Sequence, residues 1–343
     1  MAIHLGKFRS WEQPPSSATA DIIAQYERGY AGVMYSDEAQ EEWIDKCTIK
    51  SGEEVCSIMG YEDSAKGQLV TPFLHATKAY PGCFPGGAQA VGDCVSWGCR
   101  NALLVTLCCE AAAGLPDAVT GEVEQVPEAS AEAIRFGVLS CEAIYFFRST
   151  RPGHGWFCAE AARVAQTKAG CVLRKPYDGI DLTKYSKSTV NFFNRRSVDS
   201  KLRNAWDDHI VREATSAKSF ESLRDLLARG FGVNSCGGEG FSSTRDENGV
   251  CSRKGSWSHA LSYTAVDDRP WAHSKYGCGL VLLQNSWGEY MTGPKKIHGT
   301  NTEIPKGSFW AKWSDVKRRS MHVMAGAHGW KRKLLPDLLG GFA

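Results

Sequence analysis

The stretch CVSWGCRNALLVTLCCEAAA, residues 94–113, constrains this chain more than any other. Val95, Cys99, Leu103, Thr106 and Cys109 recur at helical spacing, and Ala102, Val105 and Ala112 fill the neighbouring faces. A helix that is apolar on most sides has no face to give to water, so other elements must surround it. The fold is therefore built around one central helix, and 343 residues are enough to bury a large core around it. Hydrophobic residues at 43% and charged residues at 23% are the profile of an ordinary soluble globular protein.

Residues 1–20 read as an arm, because Pro14-Pro15-Ser16-Ser17 is linker chemistry. A helical pattern runs over 20–46, and AYPGCFPGGA at 79–88 reads as an irregular approach to Cys94. After a loop at 114–130, helices are expected over 130–148 and over 156–169, the second stopped by Gly170. FESLRDLLARG at 220–230 is an amphipathic helix with a glycine stop. From there the character changes: WSHALSYTAVD at 257–267 alternates and GLVLLQ at 279–284 is a short apolar run, so both read as strands. Helices first and strands later predict an α+β fold of two lobes with a site between them. CGGEG at 236–240 reads as a flexible loop, without the following helix and lysine of a phosphate loop.

Forty basic against 38 acidic residues leave a net charge of +2, which points to no polyanionic partner and gives no strong nucleic-acid signal. Lys317-Arg318-Arg319 and Lys331-Arg332-Lys333 read as solvated faces. The N-terminal residues lack the apolar core of roughly 7–15 residues that marks a secretory signal. No segment approaches the ~18 apolar residues of a membrane span. Thirteen cysteines without framework spacing or a C-x-x-C pair predict a reducing compartment, mostly thiols and no structural zinc.

Three short stretches carry chemistry together. Cys94 opens the buried helix, His259 sits in GSWSHALSY on a strand, and Asn285 follows an apolar strand in LLQNSWGEY. Taken singly, they are a packed thiol, a satisfied strand histidine and a turn residue. In this order they are what a thiol protease needs. A cysteine thiol has a pKa near ~8.5, and its thiolate is the nucleophile. The first turn of a helix presents unpaired N–H groups and a positive dipole end to that thiolate. A neighbouring imidazole takes and returns the proton, and an amide side chain fixes the imidazole tautomer.

These stretches resemble the papain family of cysteine peptidases. NSWG at 285–288 is similar to the family's segment in which the Asn is the third catalytic residue and the Trp covers the His–Asn pair. SHALSYTAVDD at 258–268 resembles its histidine strand, and QAVGDCVSWG at 89–98 its nucleophile segment. RPGHGWFCAEAARV at 151–164, GCVLRKPYD at 170–178 and SFESLRDLLARGFGVN at 219–234 extend the likeness over roughly residues 80–315. Three departures stand out. Gln89 lies five residues before Cys94 where the family has six. Asp93 replaces a small residue and would oppose thiolate formation unless it points away to solvent. Val95 replaces a tryptophan, whose packing Trp97 takes over in part.

The resemblance implies a papain-like fold with a helical left lobe and a β-rich right lobe around a cleft. It implies a peptidase domain over 80–320 (helical 80–215, β 216–320), flanked by a partly helical N-terminal extension over 1–79 and a tail over 321–343. The extension is open to three readings, covering the cleft, binding a partner or packing on the helical lobe, of which packing is preferred. It implies Cys94 as nucleophile, His259 as proton shuttle, Asn285 as its orienter, and Gln89 with the Cys94 amide as the oxyanion site. Gly155 would pair with the substrate backbone, and Trp287 would support the histidine. No metal or cofactor is called for, and the partner is a peptide or protein substrate. Without a signal or a recognisable propeptide, the sequence is also similar to papain-like products of bacteria and bacteriophages. That implies a cytoplasmic or virion location and assembly with other virion or host proteins. The rival expectations are a papain-fold virion or structural protein with little or no activity, and a thiol amidase acting on peptidoglycan. NSWG argues against the second.

Overall fold

The computed structural model describes residues 51–114, 125–167, 172–194, 197–198, 200–202, 205 and 211–326. The expected arm at 1–20, the helix at 20–46, Gly170 and the basic cluster at 331–333 lie outside the described residues. So does most of the 114–130 loop.

In chain order the helices are α1 (Gly52–Met59), α2 (Phe73–Ala79), α3 (Cys94–Ala113), α4 (Ala131–Arg135), α5 (Cys141–Tyr145), α6 (Cys158–Thr167), α7 (Lys187–Phe192), α8 (Phe220–Ala228), α9 (Pro270–Tyr276) and α10 (Trp313–Val316). The strands are β1 (Leu69–Val70), β2 (Pro176–Tyr177), β3 (Ile180–Asp181), β4 (Glu213–Ala217), β5 (Gly232–Phe241), β6 (Arg253–Asp267), β7 (Leu280–Gln284), β8 (Ser308–Lys312) and β9 (Ser320–Ala325). The class is α+β as expected, with helices leading and an antiparallel sheet following. Six strands run in the order β4-β9-β5-β6-β7-β8, and β1 joins the sheet on β6.

The central helix forms where the apolar pattern places it and ends at Gly114 in the left-handed region. It lies so close to the sheet that only glycine fits at two contacts. A Cβ at Gly98 would overlap the Asn234 amide, and one at Gly232 would overlap the Ala102 carbonyl. Asn234 Nδ2 donates to Val95 O at 3.2 Å, tying the first turn of α3 to β5. β7 is buried at every position, which is why its sequence is a continuous apolar run rather than an alternating one.

Several expectations are corrected. The helix expected over 130–148 is two short helices, α4 and α5, because Gly137 and Val138 both take positive φ (91° and 62°) between them. CGGEG at 236–240 is not a flexible loop but the second half of β5, paired with β6 through register shifts. Gly237 and Gly240 serve close packing, against Arg319 and against Lys254 O and Trp257. Residues 321–325, read as the start of the tail, lie in β9 between β4 and β5. Residues 51–79 pack on more than the helical side. Glu53 caps the start of α8 by accepting from the Ser219 amide at 3.0 Å and the Ser222 hydroxyl at 2.8 Å. Arg224 in α8 binds Asp63, Asp225 and Asp268, holding the 61–67 turn against the sheet edge.

The described cysteines are mostly thiols, as expected, with one bridge that the sequence did not place. Cys158, the first residue of α6, forms a disulfide with Cys236 of β5 (Cα–Cα 6.1 Å), while the other described cysteines are thiols. The bridge joins the helical layer to the strand beside His259. The double substitution C158S/C236S should cost ~2–4 kcal/mol of unfolding free energy. Guanidinium melts should show the same loss for the wild type under reductant, and no further loss when reductant is added to the variant.

Candidate active site

β6 delivers His259 fully buried, and the turn after β7 delivers Asn285, also fully buried. The His259 Nε2–H donates to Asn285 Oδ1 at 2.8 Å. The same Oδ1 accepts the Ser286 amide at 2.7 Å, so that atom is the amide oxygen and the histidine proton belongs on Nε2. Nδ1 is then the basic nitrogen of the neutral ring. Trp287 stacks on the imidazole with centroids 4.3 Å apart and planes at 23°. Trp257 meets the edges of both rings, at 6.2 Å from His259 and 4.9 Å from Trp287. Burial pushes the His259 pKa down to about 3; the Asn285 hydrogen bond opposes this and the Arg319 charge adds to it. The ring is therefore neutral on its own, and an imidazolium forms only when a negative charge arises beside it.

Cys94 is the first residue of α3 and is fully buried. The loop leading to it is bonded to the turn that carries Asn285. Ala88 bridges Trp287, the Gln89 amide donates to Ser286 O at 2.8 Å, and the Ser286 hydroxyl donates to Gln89 Oε1. Gln89 Nε2 donates to Val91 O at 2.8 Å, which fixes the side-chain amide inside the Cys94 loop. Gly155 is buried beside the same loop: the Gly92 amide donates to Gly153 O at 3.0 Å, and a Cβ at Gly92 would come within 3.0 Å of Gly155 N. The segment 153–155 thus lies against the residues preceding Cys94. Trp97 is buried as expected, sandwiched by the Arg100 guanidinium at 4.3 Å and the edge of Tyr185 at 5.1 Å.

Asp93 does not point to solvent. It is fully buried, and its Oδ2 accepts from Tyr185 Oη at 2.9 Å and Trp97 Nε1 at 3.2 Å, while Oδ1 has no hydrogen-bond partner. Burial, opposed by the Tyr185 hydrogen bond and aided by the Glu142 charge, raises its pKa to about 8. A protonated acid places no negative charge beside Cys94 at neutral pH, so the expected opposition to a thiolate is largely removed. The sign for stability follows. Asp93 favours folding fully below its unfolded pKa near ~4, and that contribution is lost as pH rises towards about 8. Asp93→Asn should therefore flatten the fall in stability between pH 5 and 8 seen in wild-type denaturant melts. Parallel pH dependences for the two proteins would rule the buried acid out as its source.

Sequence reasoning missed Ser286, Trp257 and Tyr185. Ser286 stands inside the NSWG segment, and its bond to Gln89 shows only once loop and turn meet. Trp257 was recoverable, since it lies two residues before His259 on one strand and so shares its face. Tyr185 sits in a polar stretch with no periodic signal.

No family model matches this chain, and no curated protein does. Among solved structures, xylellain, a cysteine protease from Xylella fastidiosa, superposes with a TM-score of 0.45 at 14% identity, covering 73% of this chain and 88% of its own. Digestive procathepsin L 3 of Tenebrio molitor larval midgut gives 0.38 at 13% identity over 92% and 94%. Bromelain from Ananas comosus, in complex with the E64 inhibitor, gives 0.36 at 11% over 82% and 97%.

Among the described residues no helix is long and apolar enough to cross a membrane, and no cluster of His, Cys, Asp or Glu is placed to hold a metal ion.

Proposed function

We propose that the chain is a papain-like cysteine endopeptidase. The observation that carries the reading is the His259–Asn285 pair under Trp287, because it fixes the imidazole as an Nε2–H tautomer with a basic Nδ1. Cys94 gives its thiol proton to Nδ1 as sulfur attacks the scissile carbonyl. Nε2–H remains on Asn285 and stabilises the imidazolium. The Cys94 backbone N–H, in the first helical turn, and Gln89 Nε2 receive the developing oxyanion. Nδ1–H is then passed to the leaving amine and the C–N bond breaks, giving a thioester on Cys94. Water adds to the thioester, with Nδ1 as base, and releases the acid and the thiol. Gly155, beside the Cys94 loop, supplies backbone pairing to an extended peptide.

The test uses the purified full chain with a peptide library and an epoxysuccinyl inhibitor of the E64 type. Cleavage of internal peptide bonds and covalent mass addition on the Cys94 peptide are expected. Labelling on another cysteine, or release of muropeptides from cell walls without peptide cleavage, would overturn the endopeptidase reading.

A further inference from the structure

Lys317-Arg318-Arg319 reads as a solvated cluster, but only its first two residues are exposed. The Arg319 side chain is completely buried. It enters the sheet from the turn between α10 and β9, where its amide closes on Val316 O at 2.9 Å. Every donor group of the fork is used, and on two strands. Nε donates to Ser235 Oγ at 3.2 Å, and Nη2 to Ser235 O at 3.3 Å. Nη1 donates to Glu239 O and Oε2, both at 3.4 Å. The shortest bond is Nη2 to the His259 carbonyl, at 2.6 Å.

That carbonyl lies at the last regular pair of β5 and β6. Gly237 faces His259, but the next pair is Glu239 with Ser256, so β6 has gained a residue and the ladder shifts. The extra residue falls between Ser256 and His259, so the imidazole projects from the last regular pair beside the bulge. Gly237 makes the arrangement possible, since a Cβ there would stand 2.6 Å from Arg319 Nη1. Asn285 and Trp287 fix the ring from its far edge and its face, but neither fixes the backbone from which it projects.

We propose that Arg319 is a positioning residue for His259, its buried fork holding the histidine's backbone across the bulge so that Nδ1 stays aimed at Cys94. The role rests on the endopeptidase reading above. A planar guanidinium spans Ser235, Glu239 and His259 at once, and an ammonium cannot. The groups set around the ring are Asn285 and Trp287 from the turn after β7, Trp257 from β6, and Arg319 with its counter-ion Glu239; the proposed reading adds Cys94 from α3. Among them Arg319 disfavours the imidazolium.

Two variants separate geometry from charge, each measured per active site titrated with the epoxide. Arg319→Lys keeps the charge and loses the fork. Its kcat/KM should fall ~10–100-fold, mostly in kcat, with the imidazole limb of the pH profile unmoved. Arg319→Met combined with Glu239→Gln removes both charges, and that limb should also move to higher pH. Either variant with a native melt decides the matter. Rates within twofold of wild type and an unmoved profile would overturn the role, and failure of both variants to fold would reassign Arg319 to stability alone. If instead the wild type shows no Cys94-dependent cleavage, the endopeptidase reading is what fails.

Discussion

Cys94→Ala and His259→Ala each abolish peptide cleavage, with an expected loss in kcat on the order of 10⁴–10⁶-fold. The two side chains act on one proton, so the double variant should be no worse than either single one. Near-equal losses for C94A, H259A and C94A/H259A, measured with the same cleaved peptide, identify a coupled pair. Multiplicative losses would mean that the residues act separately and would remove the proposed mechanism. Asn285→Ala should fall between these variants and the wild type. It deletes the acceptor of Nε2–H and of the Ser286 amide together, so it frees the tautomer and loosens the turn that carries Trp287. Because burial pushes the His259 pKa down to about 3, thiolate formation in the proposed mechanism depends on Cys94 and His259 exchanging a proton rather than on a ring charged in advance. Alkylation of Cys94 by iodoacetamide should therefore lose its neutral-pH component in H259A and follow an ordinary thiol titration.

How much of this was open to reading depended on the kind of signal each element leaves. The central helix was legible because burial on all sides needs apolar residues at every phase, and 94–113 supplies them. His259 and Asn285 were legible through their order and short flanking segments. β5 was not, because GVNSCGGEGF replaces alternation with glycines, and those glycines are set by Ala102, Arg319 and Trp257 pressing on the strand. Arg319 stands beside two exposed basic residues, and nothing local distinguishes it from them. The 130–148 helix failed at Gly137-Val138, where a backbone break is selected by contacts made far away in sequence: Arg100 occupies the space a side chain at 137 would need. The Cys158–Cys236 bridge left no trace because its spacing of 78 residues fits no local framework. Asp93 was legible as a departure but not in its consequence, since its raised pKa comes first from burial by other elements, with Tyr185 opposing and Glu142 adding to it.

The largest stability loss is expected at Arg174→Met. Arg174 and Glu142 form an ion pair with both side chains fully buried, at 3.0 and 3.1 Å through two parallel bonds. Arg174 also donates to Phe136 O at 2.7 Å and Leu182 O at 3.2 Å, while Glu142 accepts from the Ser140 hydroxyl at 2.8 Å. Removing the cation leaves a buried carboxylate without its counter-ion, which typically costs ~3–5 kcal/mol. Arg174→Met with Glu142→Met should recover most of the loss, because two apolar side chains avoid both desolvation penalties. Since the pair lies behind Asp93 rather than at Cys94, kcat/KM per titrated site should change little in the folded fraction of either variant. A variant that melts like the wild type would show that the buried pair contributes no such energy. A variant that keeps its melt and loses rate would instead place Arg174 in the chemistry.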